Sequence, residues 1–90
     1  SACGTFNNEG IYLLEKNISS NDTCFFIKTD NSILDCKGYT IFGNYSSSAI
    51  EVFGSNNKIK NCIFKNFVMG VNFKSGFNNT LSNNLLIIDF

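Results

Sequence analysis

A six-residue pattern, asparagine, any residue, aliphatic, any residue, Asp or Asn, then Cys or Asn, occurs three times in this chain. The copies are Asn31-Ser-Ile33-Leu-Asp35-Cys36, Asn57-Lys-Ile59-Lys-Asn61-Cys62 and Asn79-Thr-Leu81-Ser-Asn83-Asn84, with starts 26 and then 22 residues apart. Self-similarity at such a period marks a repeat architecture and constrains everything else in a chain of 90 residues, which has room for one domain. A short alternating apolar segment precedes each copy: Phe25-Phe-Ile27, Ile50-Glu-Val52 and Val71-Asn-Phe73. Polar turns such as Gly54-Ser-Asn-Asn57 and Ser75-Gly-Phe-Asn-Asn79 join the two, and a third segment follows: Tyr39 to Phe42, Phe64 to Phe67, Leu86 to Ile88.

Three short segments of period-two alternation, bounded by Gly, Asn and Ser, are too short for amphipathic helices and describe a three-sided coil. One coil cannot bury its inward side chains; stacking at about 4.8 Å sets like residue on like and makes a continuous core. The expected fold is an all-β parallel β-helix, a solenoid of three to four coils filling residues 1–90. Its inward columns are Ile33, Ile59, Leu81; Ile27, Val52, Phe73; and Ile41, Phe64, Leu86. Residues 23–90 form the regular coils, and residues 1–22, including Gly10 to Ile18, a less regular first coil or cap. Asp35, Asn61 and Asn83 recur at one corner. Asparagine tolerates left-handed backbone angles, and stacked amides can bond one another along the solenoid, so these three form an expected corner ladder.

Cys3, Cys24, Cys36 and Cys62, with no histidine and no C-x-x-C knuckle, indicate two disulfides rather than a zinc site. In a solenoid, bridged partners lie one coil apart. Cys3 with Cys24 and Cys36 with Cys62 are separated by 21 and 26 residues, both near the repeat length, so these pairings are expected.

The run Asn57 to Val71 resembles the repeat of the right-handed parallel β-helix proteins, the pectin-lyase-like superfamily with its NosD-type members, and the resemblance covers residues 10 to 90. Cys3-Gly-Thr, Gly10-Ile-Tyr12 and Thr23-Cys-Phe25 before Leu34 to Ile41 are similar to the start of extracellular β-helix domains of archaeal and bacterial surface proteins. The resemblance implies a right-handed solenoid and specifies function weakly, because that scaffold carries lyases, hydrolases, epimerases, adhesins and spacers. The catalytic sets that it implies for the enzymes, aspartates with an arginine, lysine or histidine, are not matched here.

The chain has no histidine, arginine, tryptophan or proline, and its seven lysines balance seven acidic residues without forming a stripe. That excludes a nucleic-acid footprint and most catalytic constellations, so no enzymatic role and no cofactor are expected. Asp22, Asp30 and Asp35 are the only clustered carboxylates and read as turn and corner residues; no calcium-loop motif accompanies them. Lys58, Lys60, Lys65 and Lys74 alternate with inward residues and form a solvated outer face that discourages edge pairing. Of the ten phenylalanines, Phe25, Phe64 and Phe73 fall inward, while Phe53 and Phe77 fall outward.

The longest aliphatic run, Leu85 to Ile88, is far below the roughly 20 residues of a membrane span. Glycan-acceptor triplets at Asn17, Asn21, Asn44 and Asn78 lie in polar, loop-like stretches and, with the disulfides, point to the cell surface or extracellular space. The expected function is a structural unit of a surface protein or fibre, with a carbohydrate-binding or carbohydrate-processing β-helix, its active residues outside this chain, as the alternative. The C-terminal strand leaves three readings open: a piece of a longer solenoid, further coils not seen, or an end that docks a neighbour. In the docking case, Gly10 to Leu14 pairs with Leu85 to Ile88 of the next copy, head to tail. The partners are thus copies of itself or adjoining coils, with glycans as a further class.

Overall fold

The computed structural model describes residues 3–89; Ser1, Ala2 and Phe90, at the ends of the expected domain, lie outside the described residues. The strands are β1 (Gly4–Phe6), β2 (Ile11–Leu13), β3 (Ile18–Ser19), β4 (Phe25–Ile27), β5 (Ile33–Asp35) and β6 (Thr40–Phe42). They continue as β7 (Ser48–Val52), β8 (Lys58–Lys60), β9 (Ile63–Lys65), β10 (Met69–Phe73), β11 (Thr80–Ser82) and β12 (Leu85–Ile87). These are segments of two to five residues because each side of the coil ends in an Asn-, Gly- or Ser-rich corner. Every third strand pairs in parallel, giving three four-stranded sheets ordered β1-β4-β7-β10, β2-β5-β8-β11 and β3-β6-β9-β12. The chain is therefore an all-β parallel β-solenoid of about four turns. The first turn carries a strand in each of the three sheets, where the sequence suggested a less regular coil.

Two of the expected inward columns are in register: Ile27 on Val52 on Phe73, and Ile41 on Phe64 on Leu86. The third is shifted by one residue. Leu34, not Ile33, stacks on Ile59 and Leu81, and Ile33 faces outward beside Lys58. The motif alignment set Asn31 against Asn57, but Ser32 occupies the Asn57 position, and Asn31 shares its left-handed φ (58°) with Asn56 and Asn78 (both 59°). A slip of one residue exchanges the two faces of a strand. The corner after β5 then holds extra residues: paired positions are 25 apart in β5 and β8 but 23 apart in β6 and β9.

The core is a column of fully buried side chains, among them Phe25, Ile27, Leu34, Ile41, Ile50, Ile59 and Phe67. Each such residue contributes about 1.5–3 kcal/mol on burial. Lys58, Lys60 and Lys65 lie on outward positions, and Lys65 meets Asp89 at 3.0 Å on the surface.

Close coil spacing at the corners demands residues without a side chain. A Cβ on Gly54 would sit 2.0 Å from the Thr29 carbonyl oxygen of the coil beneath. Gly54→Ala must therefore push two coils apart, and overpacking of this kind costs about 1–3 kcal/mol. Gly38→Ala meets no neighbour and is strained only by its φ of 86°, at about 1 kcal/mol. Urea unfolding of the two variants should rank Gly54→Ala as the more damaging; equal midpoints would contradict the coil contact.

Candidate functional site

Three sets of residues hold the coils in register, and the two ends of the stack differ. The outer ladder runs along the corner between the second and third sheets. Asn61 Nδ2 donates to Asp35 Oδ1 at 3.0 Å, and Asn83 Nδ2 donates to Asn61 Oδ1 at 2.8 Å. Asn61 and Asn83 both adopt φ 57°, the left-handed geometry that asparagine accepts at low cost. The three corner residues chosen from the sequence are thus brought together. Asp35 Oδ1 also accepts the Lys37 N–H at 2.8 Å, and these bonds, that from Asn61 foremost, hold its carboxyl below its ordinary value of 3.8.

That shift fixes the direction of a pH effect. A carboxyl with a depressed folded-state pKa stabilises the fold above its unfolded-state value, and the contribution is lost as pH falls through the folded-state value. Asp22 acts in the same sense, through Ser47 Oγ and the Thr23 N–H. Stability should decline below about pH 4, and Asp35→Asn should flatten that acid limb, as measured by unfolding at stepped pH. An unchanged limb would contradict the ladder's ionic rung.

A second set of asparagines points inward; they occupy positions of the repeat motif to which the sequence reading gave no role of their own. Asn57 is 2% exposed; its Oδ1 accepts the Ser32 N–H at 2.9 Å and its Nδ2 donates to the Thr29 carbonyl at 2.9 Å. Asn79 clamps the next coil in the same way, taking the Asn57 N–H at 3.0 Å and giving to the Gly54 carbonyl at 2.9 Å. Asn84 takes the Cys62 N–H and gives to the Ile59 carbonyl, both at 2.9 Å. Each carboxamide thus bridges residue i and the carbonyl of residue i−3 on the coil below, satisfying backbone groups that the corner buries. The signal was present in the first asparagine of the repeat itself.

The disulfides join Cys3 to Cys24 and Cys36 to Cys62, with Cα separations of 4.7 and 4.8 Å, equal to the strand spacing. Cys36 and Cys62 are fully buried. Cys24 lies in one column with Ala49 and Gly70, and the missing side chain of Gly70 leaves room for the Phe64 ring.

The first coil closes the lumen. Phe6 stacks on Tyr12 with ring centroids 3.8 Å apart and packs on Phe25, the Tyr12 hydroxyl donates to the Asn8 carbonyl, and Leu14 is buried. Among the described residues nothing covers the last coil: Phe73, Leu81 and Leu86, inward by register, are 44%, 48% and 40% exposed. The ends also fix how coils could stack. β2 belongs to the sheet that ends in β11, and β12 belongs to the sheet that begins with β3. A head-to-tail neighbour continuing all three sheets sets Ile11–Leu13 on Thr80–Ser82, not on Leu85 to Ile88.

Asn17, Asn21, Asn44 and Asn78 are all exposed, in the corners between strands. Asp22 and Asp30 accept hydrogen bonds from Ser47 and from the Ser55 N–H, each 25 residues further on, and so tie corners of adjacent coils together. Among the described residues no group of three or more His, Cys, Asp or Glu side chains is placed to hold a metal. Phe53 is half-buried beneath Lys28, whose Nζ lies 5.2 Å from the ring centroid; Phe77 is exposed. A shallow outer groove beside the ladder is lined by Asp35, Lys37, Asn61, Ile63, Asn83 and Leu85. No helix among the described residues is long and apolar enough to cross a membrane. No protein-family model, no curated protein and no solved structure matches this chain.

Proposed function

We propose that this chain is a non-catalytic structural solenoid unit of an extracellular surface protein or fibre, adjoining further coils through its last turn. One observation carries the reading: the first coil seals its own lumen with Phe6, Tyr12 and Leu14, whereas the last leaves Phe73, Leu81 and Leu86 exposed. An open coil presents apolar side chains and unpaired strand edges, which pair with another chain unless covered. The two disulfides suit a non-reducing environment, and the four exposed acceptor asparagines give glycans room to leave the corners. The right-handed β-helix proteins of the pectin-lyase-like and NosD type remain the group whose surface members the repeat resembles, and the structural reading follows theirs.

Antibody raised against the folded solenoid should label intact cells of the native source without permeabilisation, and peptides of native material that contain Asn17, Asn21, Asn44 or Asn78 should exceed their bare polypeptide masses. Label only after permeabilisation would overturn the surface assignment; unmodified masses would remove the glycans alone. The groove beside the ladder, where Ile63 and Leu85 lie next to amide and lysine groups, favours carbohydrate binding as the second reading. Binding on a glycan array that is lost in Leu85→Asp would support it over a purely structural role.

A further inference from the structure

We infer that the last coil is a docking site for a partner solenoid coil that bears an asparagine at each of two corners, five residues apart, and that the first coil of a second copy does not fit it. The inference rests on the structural reading above and specifies the coil that the open end takes. Its basis is the repeated inner clamp. At Asn57, Asn79 and Asn84 the carboxamide oxygen takes an N–H from the coil below, and the amide donates to the carbonyl three residues earlier. Translated up one coil, the same donor–acceptor pairs are Asn79 N–H with Gly76 C=O, and Asn84 N–H with Leu81 C=O. Neither of those two N–H groups has a hydrogen-bond partner among the described residues. Each notch is shaped for one primary carboxamide, and together they define a partner strand pair in which the asparagines repeat the spacing of Asn79 and Asn84.

The chain's own first coil lacks this chemistry. Its residue beneath Ser32 and Asn57 is Gly10, whose N–H is itself taken by Ser32 Oγ, and the residue that the third sheet's register sets at the Cys62 and Asn84 position is Lys16. Neither offers a carboxamide, so a copy stacked head to tail would bury both notches unfilled, at the cost that attends orphaned buried N–H groups. The exposed Phe73, Leu81 and Leu86 supply the apolar centre of the end face.

The test tethers candidate coils to the full chain after Asp89, so that each is presented at high effective concentration. One fusion repeats residues 69–89; a second carries the same coil with alanine in place of both clamp asparagines; a third carries residues 4–24 with Cys24→Ser. Amide hydrogen exchange at Asn79 and Asn84 is the readout. The asparagine coil should slow both amides on the order of a hundredfold, and the alanine and first-coil fusions by less than about tenfold. Equal protection by the alanine coil would show that apolar burial alone selects the partner. Equal protection by the first coil would make a second copy the occupant, and no protection by the asparagine coil would mean there is no socket. Each of these overturns the inference. An accepted asparagine coil in a protein that is absent from the cell surface would instead fail the structural reading and leave the socket standing.

Discussion

Replacing Cys36 and Cys62 together by alanine should lower the unfolding free energy by about 3.5 kcal/mol, the chain-entropy value for a loop of this length. The bridge spans 26 residues and both cysteines are fully buried, so it ties the second coil to the third from inside the core. Domains of this size hold about 5–10 kcal/mol in all, so a third or more of the total is at stake. The location sharpens the effect. It is the corner where register changes from 25 to 23 residues, and there Cys36 donates its N–H to the Lys60 carbonyl rather than to an asparagine clamp. Urea unfolding of the double variant, beside wild type with and without reductant, measures it. A midpoint unchanged by both the substitution and the reductant would show that the bridge holds nothing.

Asn57→Leu should be comparably destructive although it adds apolar surface to the core. It removes the acceptor for the Ser32 N–H and the donor for the Thr29 carbonyl, both at a corner where Asn57 is 2% exposed. Each stranded buried group costs about 1–3 kcal/mol, so a loss of roughly 2–5 kcal/mol is expected. Asn61→Ala, which breaks rungs of the more exposed outer ladder and sets alanine at a left-handed φ of 57°, should cost about 1–2 kcal/mol. The ranking is the prediction. If Asn61→Ala proves as costly as Asn57→Leu under identical denaturation, the inner carboxamides are not what holds the coils in register.

The repeat made most of the fold legible because a solenoid writes its geometry once per turn. Alternation placed Ile27, Val52 and Phe73 on one inward column, and the expected one-coil separation of bridged partners paired the four cysteines as they are found. The corner residues Asp35, Asn61 and Asn83 were recognisable because each coil needs a polar residue at the same bend. The failure at Ile33 has a physical cause: Ser32 substitutes for an asparagine and the corner after β5 is longer, so aligning asparagines misplaces the strand by one. The inner clamps were hidden for a related reason. An asparagine facing the lumen looks in sequence like any loop asparagine, and only stacking shows that Asn57 and Asn79 bond the coil beneath. The first coil's closure was equally invisible, since it depends on the Phe6 and Tyr12 rings meeting from different strands.

Hydrogen exchange of native material tests the central claim most directly, that this solenoid works by adjoining other coils through its last turn. The 90-residue chain alone should exchange its Asn79, Leu81, Asn84 and Leu86 amides rapidly, because nothing among the described residues covers that coil. In protein isolated intact from the native cell surface, the same amides should be protected to the level of their counterparts in the coil beneath, Asn57, Ile59, Cys62 and Phe64. Equal and rapid exchange in both preparations would show that the last turn faces solvent where the protein acts, and would contradict the account.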